Sequence, residues 1–133
     1  MKFLFLFFSF LLASCGDSGT ASTPSSSNCF LIQNQDQKYL CESVVENKDQ
    51  CFLIEDANLK YYCQSLTQSQ SSCFLIDEPD LKYLCQSVAE GKDMCSLIQD
   101  DDQNFLCQSL AEGKDMCFLI LDSDLKHLCQ ASR

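Results

Sequence analysis

Apolar and polar positions from Cys29 to the C-terminus follow a 22-residue pattern that occurs five times. Each repeat opens with an apolar segment such as CFLI and passes through a short acidic turn. It continues as a stretch in which apolar residues recur at spacings of three and four. That spacing predicts an amphipathic helix. A helical unit repeated at a fixed period is typical of arrays in which each unit buries its apolar face against its neighbours.

Polar residues and glycines mark the ends of this predicted helix. In the third repeat Pro79 follows Glu78 at the first helical position, where its fixed φ is suitable and its missing N–H costs nothing. Gly91 and Gly113 stand where a helix can end with a left-handed residue. In the other four repeats a residue that favours the N-cap precedes the helix, namely Asn34, Asp56, Asp100 and Asp122.

The apolar first half of each repeat is long enough for only one or two helical turns. It contains an invariant Leu-Ile pair, such as Leu75-Ile76, and because it is apolar on all sides we expect it to be buried. Nothing alternates with period two, so strands are not expected. The sequence predicts an all-α fold, an α-solenoid-like array of five two-helix repeats. The caps predicted for the short helices are Asp49, Ser71, Asp93 and Asp115.

Ten cysteines divide the repeats in alternating steps of 12 and 10 residues. Pairing across the 12-residue steps uses all ten, whereas pairing across the 10-residue steps leaves Cys29 and Cys129 without partners. Each 12-step bridge would contribute about 3 kcal/mol by constraining the unfolded chain. The predicted disulfide bonds are Cys29–Cys41, Cys51–Cys63, Cys73–Cys85, Cys95–Cys107 and Cys117–Cys129.

A single longer helix is the alternative interpretation of each repeat. Residues 80–99 could form one helix through Gly91, and the Cys-x9-Cys spacing of Cys41–Cys51 resembles the twin CX9C family of helical hairpins. That resemblance implies long antiparallel helices, but the alternating 12-residue step departs from the family. Cysteine-bridged helical hairpins in an array are also similar in architecture to Sel1-like repeats, which are longer. Gly91 favours a break and therefore two short helices.

The N-terminal residues MKFLFLFFSFLLASC combine an early Lys2 with an apolar run that is too short to span a bilayer comfortably. This predicts a signal peptide over residues 1–14. Leu12-Ala13-Ser14-Cys15 resembles the lipobox of bacterial lipoproteins. The resemblance implies cleavage before Cys15 and acylation of Cys15, with palmitate among the chains, and Gly16 favours sorting to the outer membrane. Lipidation also accounts for the odd eleventh cysteine.

Residues 16–28 are small and polar, which predicts a flexible tether between the lipidated Cys15 and the repeat domain. The predicted domains are therefore a signal peptide (1–14), the lipidated cysteine with its tether (15–28) and a cysteine-rich helical domain (29–133).

Charge and motif content argue against several function classes. The chain has 19 Asp and Glu against 9 Lys and Arg, so a nucleic-acid partner is not expected. No catalytic motif is present, and no cysteine pair within the repeats has the close spacing of structural zinc sites. Asp100, Asp101 and Asp102 lack the spacing of a calcium loop and are interpreted as helix-start acids. We predict no enzyme activity, no metal and no cofactor.

An aromatic column is the sharpest indication of a binding surface. It lies two residues before the second cysteine of each repeat, roughly 150° from the centre of the apolar helix face. Such a column could form an exposed ridge that contacts an envelope protein or a glycan, or it could pack against the adjoining repeat. Its members are Tyr39, Tyr61, Tyr83, Phe105 and His127.

The resulting hypothesis is a membrane-anchored bacterial envelope lipoprotein whose helical repeats serve protein interaction or scaffolding. The alternative is a periplasmic protein that uses its cysteines for thiol redox chemistry or metal buffering.

Overall fold

The computed structural model describes residues 26–133, in which five 3₁₀ helices alternate with five α-helices. The α-helices are α1 (Gln35–Val45), α2 (Ala57–Thr67), α3 (Pro79–Glu90), α4 (Asp101–Ala111) and α5 (Ser123–Ala131). The 3₁₀ helices are η1 (Ser26–Leu31), η2 (Cys51–Leu53), η3 (Cys73–Leu75), η4 (Cys95–Leu97) and η5 (Cys117–Leu119). No strand occurs among residues 26–133. The predicted all-α array of two-helix repeats is confirmed.

The helix ends follow the capping residues. In four repeats the cap side chain accepts a hydrogen bond at 2.7–3.0 Å from the backbone N–H three residues later, the caps being Asn34, Asp56, Asp100 and Asp122. Glu78 makes no such bond, and Pro79 opens α3. Gly91 ends α3 in the left-handed region, at φ 68°. The alternative of one helix over residues 80–99 is therefore wrong.

The five disulfide bonds have the 12-residue spacing, with paired Cα atoms 5.5–5.6 Å apart. Each joins the 3₁₀ helix of a repeat to the α-helix of the same repeat, and all ten cysteines are buried. The predicted pairing is confirmed.

The array closes into a ring. Each α-helix packs against the next one in sequence, and the last, α5, packs against α1 and against η1. First-turn residues of all five α-helices line one cavity, and residues near the helix C-termini gather around another. The five α-helices therefore run parallel around a common axis. The 3₁₀ helices lie outside them, each against its own α-helix and the preceding one.

A carboxylate or amide in the first turn of each α-helix joins successive repeats. Asp36 accepts hydrogen bonds from the backbone N–H groups of Glu55 and Asp56, at 3.0 and 2.9 Å. Asp124 closes the ring in the same way, accepting from Gln33 and Asn34 at 2.9 and 2.8 Å. Equivalent bonds are made by Asp80 and Asp102, while Asn58 accepts one. Asp100 is the N-cap of α4 and Asp101 and Asp102 lie in its first turn, so all three are helix-start acids, as predicted.

Buried serines near the ends of the first four α-helices take the role predicted for other caps. The hydroxyl oxygens of Ser43, Ser65, Ser87 and Ser109 accept, at 2.7–3.2 Å, from the backbone N–H just before the next 3₁₀ helix. The predicted caps Asp49, Asp93 and Asp115 make no cap bond to these 3₁₀ helices, so that prediction is wrong. Ser71 alone accepts nearby, from Cys73 N–H at 3.3 Å. The buried serine on the preceding α-helix already accepts from the backbone N–H at the start of the 3₁₀ helix, so no cap from an Asp in the exposed turn is needed.

The apolar first half of each repeat is buried on one side only. A 3₁₀ helix has three residues per turn, so a cysteine and the isoleucine three positions later face the same way. The isoleucines of this set, from Ile32 to Ile120, are at most 6% exposed, whereas the adjacent leucines are 38–49% exposed. Burial on all sides was therefore a wrong prediction, because the 3₁₀ helix lies in an outer groove and only its inner face meets the ring.

Candidate interaction surface and axial cavity

The most exposed aromatic side chains of residues 26–133 follow the first cysteine of four repeats. They are Phe30, Phe52, Phe74 and Phe118, each 66–72% exposed, and Ser96 replaces them in the fourth repeat. Each Phe is followed by one of the partly exposed leucines. We refer to Phe30, Phe52, Phe74 and Phe118, with the leucine after each, as the Phe–Leu surface. It lies on the outer 3₁₀ layer.

The predicted aromatic column occupies a different place. Tyr39, Tyr61, Tyr83 and Phe105 lie on the α-helices, are half-buried and pack against the core. His127 is half-buried, and its Nδ1 is buried without a hydrogen-bond partner. A role of this column in partner binding stays a prediction.

Sequence reasoning missed the Phe–Leu surface because it assigned the whole CFLI segment to the core. The available signal was the three-residue spacing of Cys and Ile, which leaves Phe and Leu on the other side of a 3₁₀ turn. If the same four residues formed an α-helix, their side chains would be distributed around the whole helix.

The ring axis is filled by a central layer of five side chains that are 1–3% exposed, namely Leu40, Tyr62, Leu84, Leu106 and Leu128. Towards the N-terminal ends of the α-helices lies a first-turn layer, formed by Gln37, Leu59, Leu81, Gln103 and Leu125. These two layers line a cavity of about 300 Å³, which we call the axial cavity. A smaller cavity of about 140 Å³ lies at the C-terminal ends.

Three polar atoms, on residues that line the axial cavity, are buried without a hydrogen-bond partner; one of these residues, Tyr62, lines the smaller cavity as well. They are the side-chain oxygens Oε1 of Gln37, Oε1 of Gln103 and the hydroxyl of Tyr62. Burial raises the pKa of the Tyr62 phenol well above its usual value, so this group is a neutral hydroxyl at physiological pH. The lining also includes Asp36, Asp56 and Glu78.

Metal ligands and membrane spans were searched among residues 26–133. No group of three or more His, Cys, Asp or Glu side chains is arranged to hold a metal ion there. No helix in this part of the chain is both long and apolar enough to cross a membrane. The predicted signal peptide, the lipobox with Cys15 and the tether up to residue 25 lie outside the described residues. Residues 26–28, predicted as the end of the tether, belong to η1.

Comparisons with protein-family models, with curated proteins and with solved structures find no match to this chain.

Proposed function

We propose that this chain is an exported bacterial envelope protein, anchored by lipid at Cys15, whose helical ring binds a protein partner through the Phe–Leu surface. The observation that supports partner binding most strongly is the set of four phenylalanines, 66–72% exposed at equivalent positions of a disulfide-bonded ring. Large exposed apolar side chains are costly in water, and when they recur they mark interaction sites.

The Phe–Leu surface has the energetic properties of a binding site. Fully burying one Phe side chain against a partner would contribute about 1.5–3 kcal/mol, and aromatic residues are enriched in protein interfaces. The 3₁₀ helices that carry these side chains are held by disulfide bonds and by the inter-repeat hydrogen bonds that follow each of them. Little conformational entropy is therefore lost when a partner binds.

The charge of the chain indicates the chemistry of the partner. A formal net charge of −10 at pH 7 disfavours nucleic acid and anionic lipid, and it disfavours association with a second copy. We therefore propose a protein that offers apolar pockets bordered by Lys or Arg side chains, because complementary potentials speed association and exclude other surfaces.

The disulfide bonds support export. Such bonds persist in oxidising compartments outside the cytoplasm, which agrees with the predicted signal peptide. They also argue against the thiol-redox and metal-buffering alternative, because the ten cysteines of the repeats are bonded and buried.

Photo-crosslinking in the envelope of the native bacterium tests the binding site. With p-benzoylphenylalanine in place of Phe74, we expect one discrete protein adduct, because Phe74 is 72% exposed and is the most exposed of the four phenylalanines. The same probe in place of Asp101, an exposed polar position, should give no such adduct. Introducing Phe52→Ser and Phe118→Ser should weaken the adduct at position 74 without changing the melting temperature.

Two results would contradict the proposed surface. One is an equal adduct at positions 74 and 101. The other is an adduct that forms only when the probe replaces Tyr83, which would assign binding to the aromatic column instead.

Replacement of the predicted acylation site tests the anchor. The Cys15→Ala variant should lose palmitate labelling and leave the membrane fraction, because the proposed lipid chains are what attaches the processed protein to the membrane. Cys73→Ala, which leaves Cys15 in place, is the control and should keep both the label and the membrane association. Unchanged fractionation of the Cys15→Ala variant would refute the lipobox interpretation.

A further inference from the structure

We infer that the axial cavity binds a small apolar molecule that carries a protonated amine. This site is separate from the Phe–Leu surface, and it does not depend on the protein partner proposed above. The cavity is open at the end of the ring where the five α-helices begin, and its volume of about 300 Å³ is at the lower end of the range of small-molecule sites.

Comparison of equivalent positions in the five repeats shows where polar residues replace leucine. In the first-turn layer three repeats have leucine, at Leu59, Leu81 and Leu125, whereas the other two have Gln37 and Gln103. In the central layer four repeats have leucine and the second has Tyr62. All three polar replacements line the same cavity.

Leaving these polar atoms unpaired lowers stability. A buried polar atom without a hydrogen-bond partner costs free energy, and a leucine at the same position would avoid that cost. Gln37 Oε1, Gln103 Oε1 and the Tyr62 hydroxyl are each buried and unpartnered, and Tyr62 is 1% exposed. A ligand that hydrogen-bonds to these atoms would offset the cost.

The available atoms are mainly acceptors. The two glutamine oxygens accept only, and the Tyr62 hydroxyl can accept or donate. The Gln103 amide nitrogen already donates to Glu78 at 3.3 Å. A ligand must therefore supply N–H or O–H donors, and an alkylammonium group supplies three.

The charge at the open end of the axial cavity favours a cationic ligand. Asp36, Asp56 and Glu78 line the cavity, and no Lys, Arg or His does. Asp36 and Asp56 accept backbone N–H groups, but a carboxylate has about four lone-pair sites, so each can accept further bonds. The five helix N-termini at this end together carry about 2.5 positive elementary charges. The three lining carboxylates offset this charge, and the caps and first turns of the same helices add further carboxylates, among them Asp80, Asp100, Asp102, Asp122 and Asp124.

The leucines of both layers supply the rest of the site. They present an apolar wall that suits a hydrocarbon or single-ring body and excludes a purely polar cation. The complete ligand is thus an amphipathic amine, with its ring among the leucines and its ammonium group near the glutamine oxygens and the carboxylates.

Calorimetric titration of the full chain, with its disulfide bonds formed, tests this site with two probes of similar size. We expect 2-phenylethylamine to bind saturably and 3-phenylpropionate to bind at least about tenfold more weakly, since the latter reverses the charge and offers no donors. Chemical-shift changes should centre on the methyl groups of Leu59, Leu81 and Leu125.

The repeat also provides variants that keep the fold. Gln37→Leu with Gln103→Leu, and separately Tyr62→Leu, restore the residue that other repeats have at those positions. The glutamine double variant should melt at or above the temperature of the unmodified chain and should bind the amine about tenfold more weakly. Tyr62→Leu should also weaken amine binding, but it should lower the melting temperature because it removes part of a buried ring. Asp101→Asn, which removes an acid outside the cavity lining, should leave binding unchanged.

Three results would overturn the inference. These are equal affinity for the two probes, amine binding that the glutamine double variant leaves unchanged, and no saturable amine binding at millimolar concentration.

Discussion

Reduction of the disulfide bonds is expected to unfold the ring at room temperature. Each of the five bonds closes a segment with a sequence separation of 12 and contributes about 3 kcal/mol in the chain-entropy model. Their sum of about 15 kcal/mol equals or exceeds the whole stability of a typical domain, about 5–15 kcal/mol. Circular dichroism at 222 nm with and without a reductant measures the effect.

Thiol labelling of the same sample before reduction is the control for bond formation. Under denaturing conditions it should find almost no free thiol in the repeats. Removing one bond by Cys73→Ala with Cys85→Ala should cost about 3 kcal/mol and leave a folded ring. A reduced protein that keeps its helical signal and its cooperative melting would contradict this account, as would about ten free thiols before reduction.

Ile76→Ala is expected to destabilise the ring by about 2–5 kcal/mol, because Ile76 is fully buried and its loss leaves a cavity. Leu75→Ala, at the adjacent position, should cost about 1 kcal/mol or less, because Leu75 is 42% exposed. Urea denaturation at matched m-values measures both.

The pair is a sharp test because Leu and Ile have the same size and are adjacent in every repeat. Ile54→Ala and Leu53→Ala in the second repeat should show the same contrast. Equal losses at the two positions would mean that the 3₁₀ helix is buried on both faces, as the sequence pattern alone suggests.

Features set by local interactions were predictable from the sequence. Asp56 caps α2 because its side chain reaches a backbone N–H three residues away. Gly91 ends α3 because the helix ends on a residue with positive φ, a conformation that glycine adopts readily. The disulfide pairing followed from parity, since only the 12-residue phase leaves no cysteine unpaired.

Features that depend on distant parts of the chain were not predictable. Asp124 bonds to backbone groups 90 and 91 residues earlier, and nothing in one 22-residue unit states the angle at which the next unit packs. Five units close the ring only because that angle recurs. The axial cavity is a consequence of closure, so Gln37, Tyr62 and Gln103 could not be grouped from the sequence.

The choice between 3₁₀ and α geometry also decided the candidate surface. CFLI is too short for its pattern to distinguish three from 3.6 residues per turn. The 3₁₀ geometry leaves Phe74 exposed and Ile76 buried. The most exposed aromatic rings therefore belong to the Phe–Leu surface and not to the aromatic column that contains Tyr83.

Amide hydrogen exchange at Gln33 and Asn34 tests most directly whether the five repeats form a closed ring. In a closed ring these two amides bond to Asp124, so they should exchange as slowly as those of Leu121 and Asp122, which bond to Asp102. Asp124→Ala should remove the protection of Gln33 and Asn34, and Asp101→Ala should not. Exchange of both amides at the rate of an unstructured peptide in the unmodified chain would show an open array and contradict the ring.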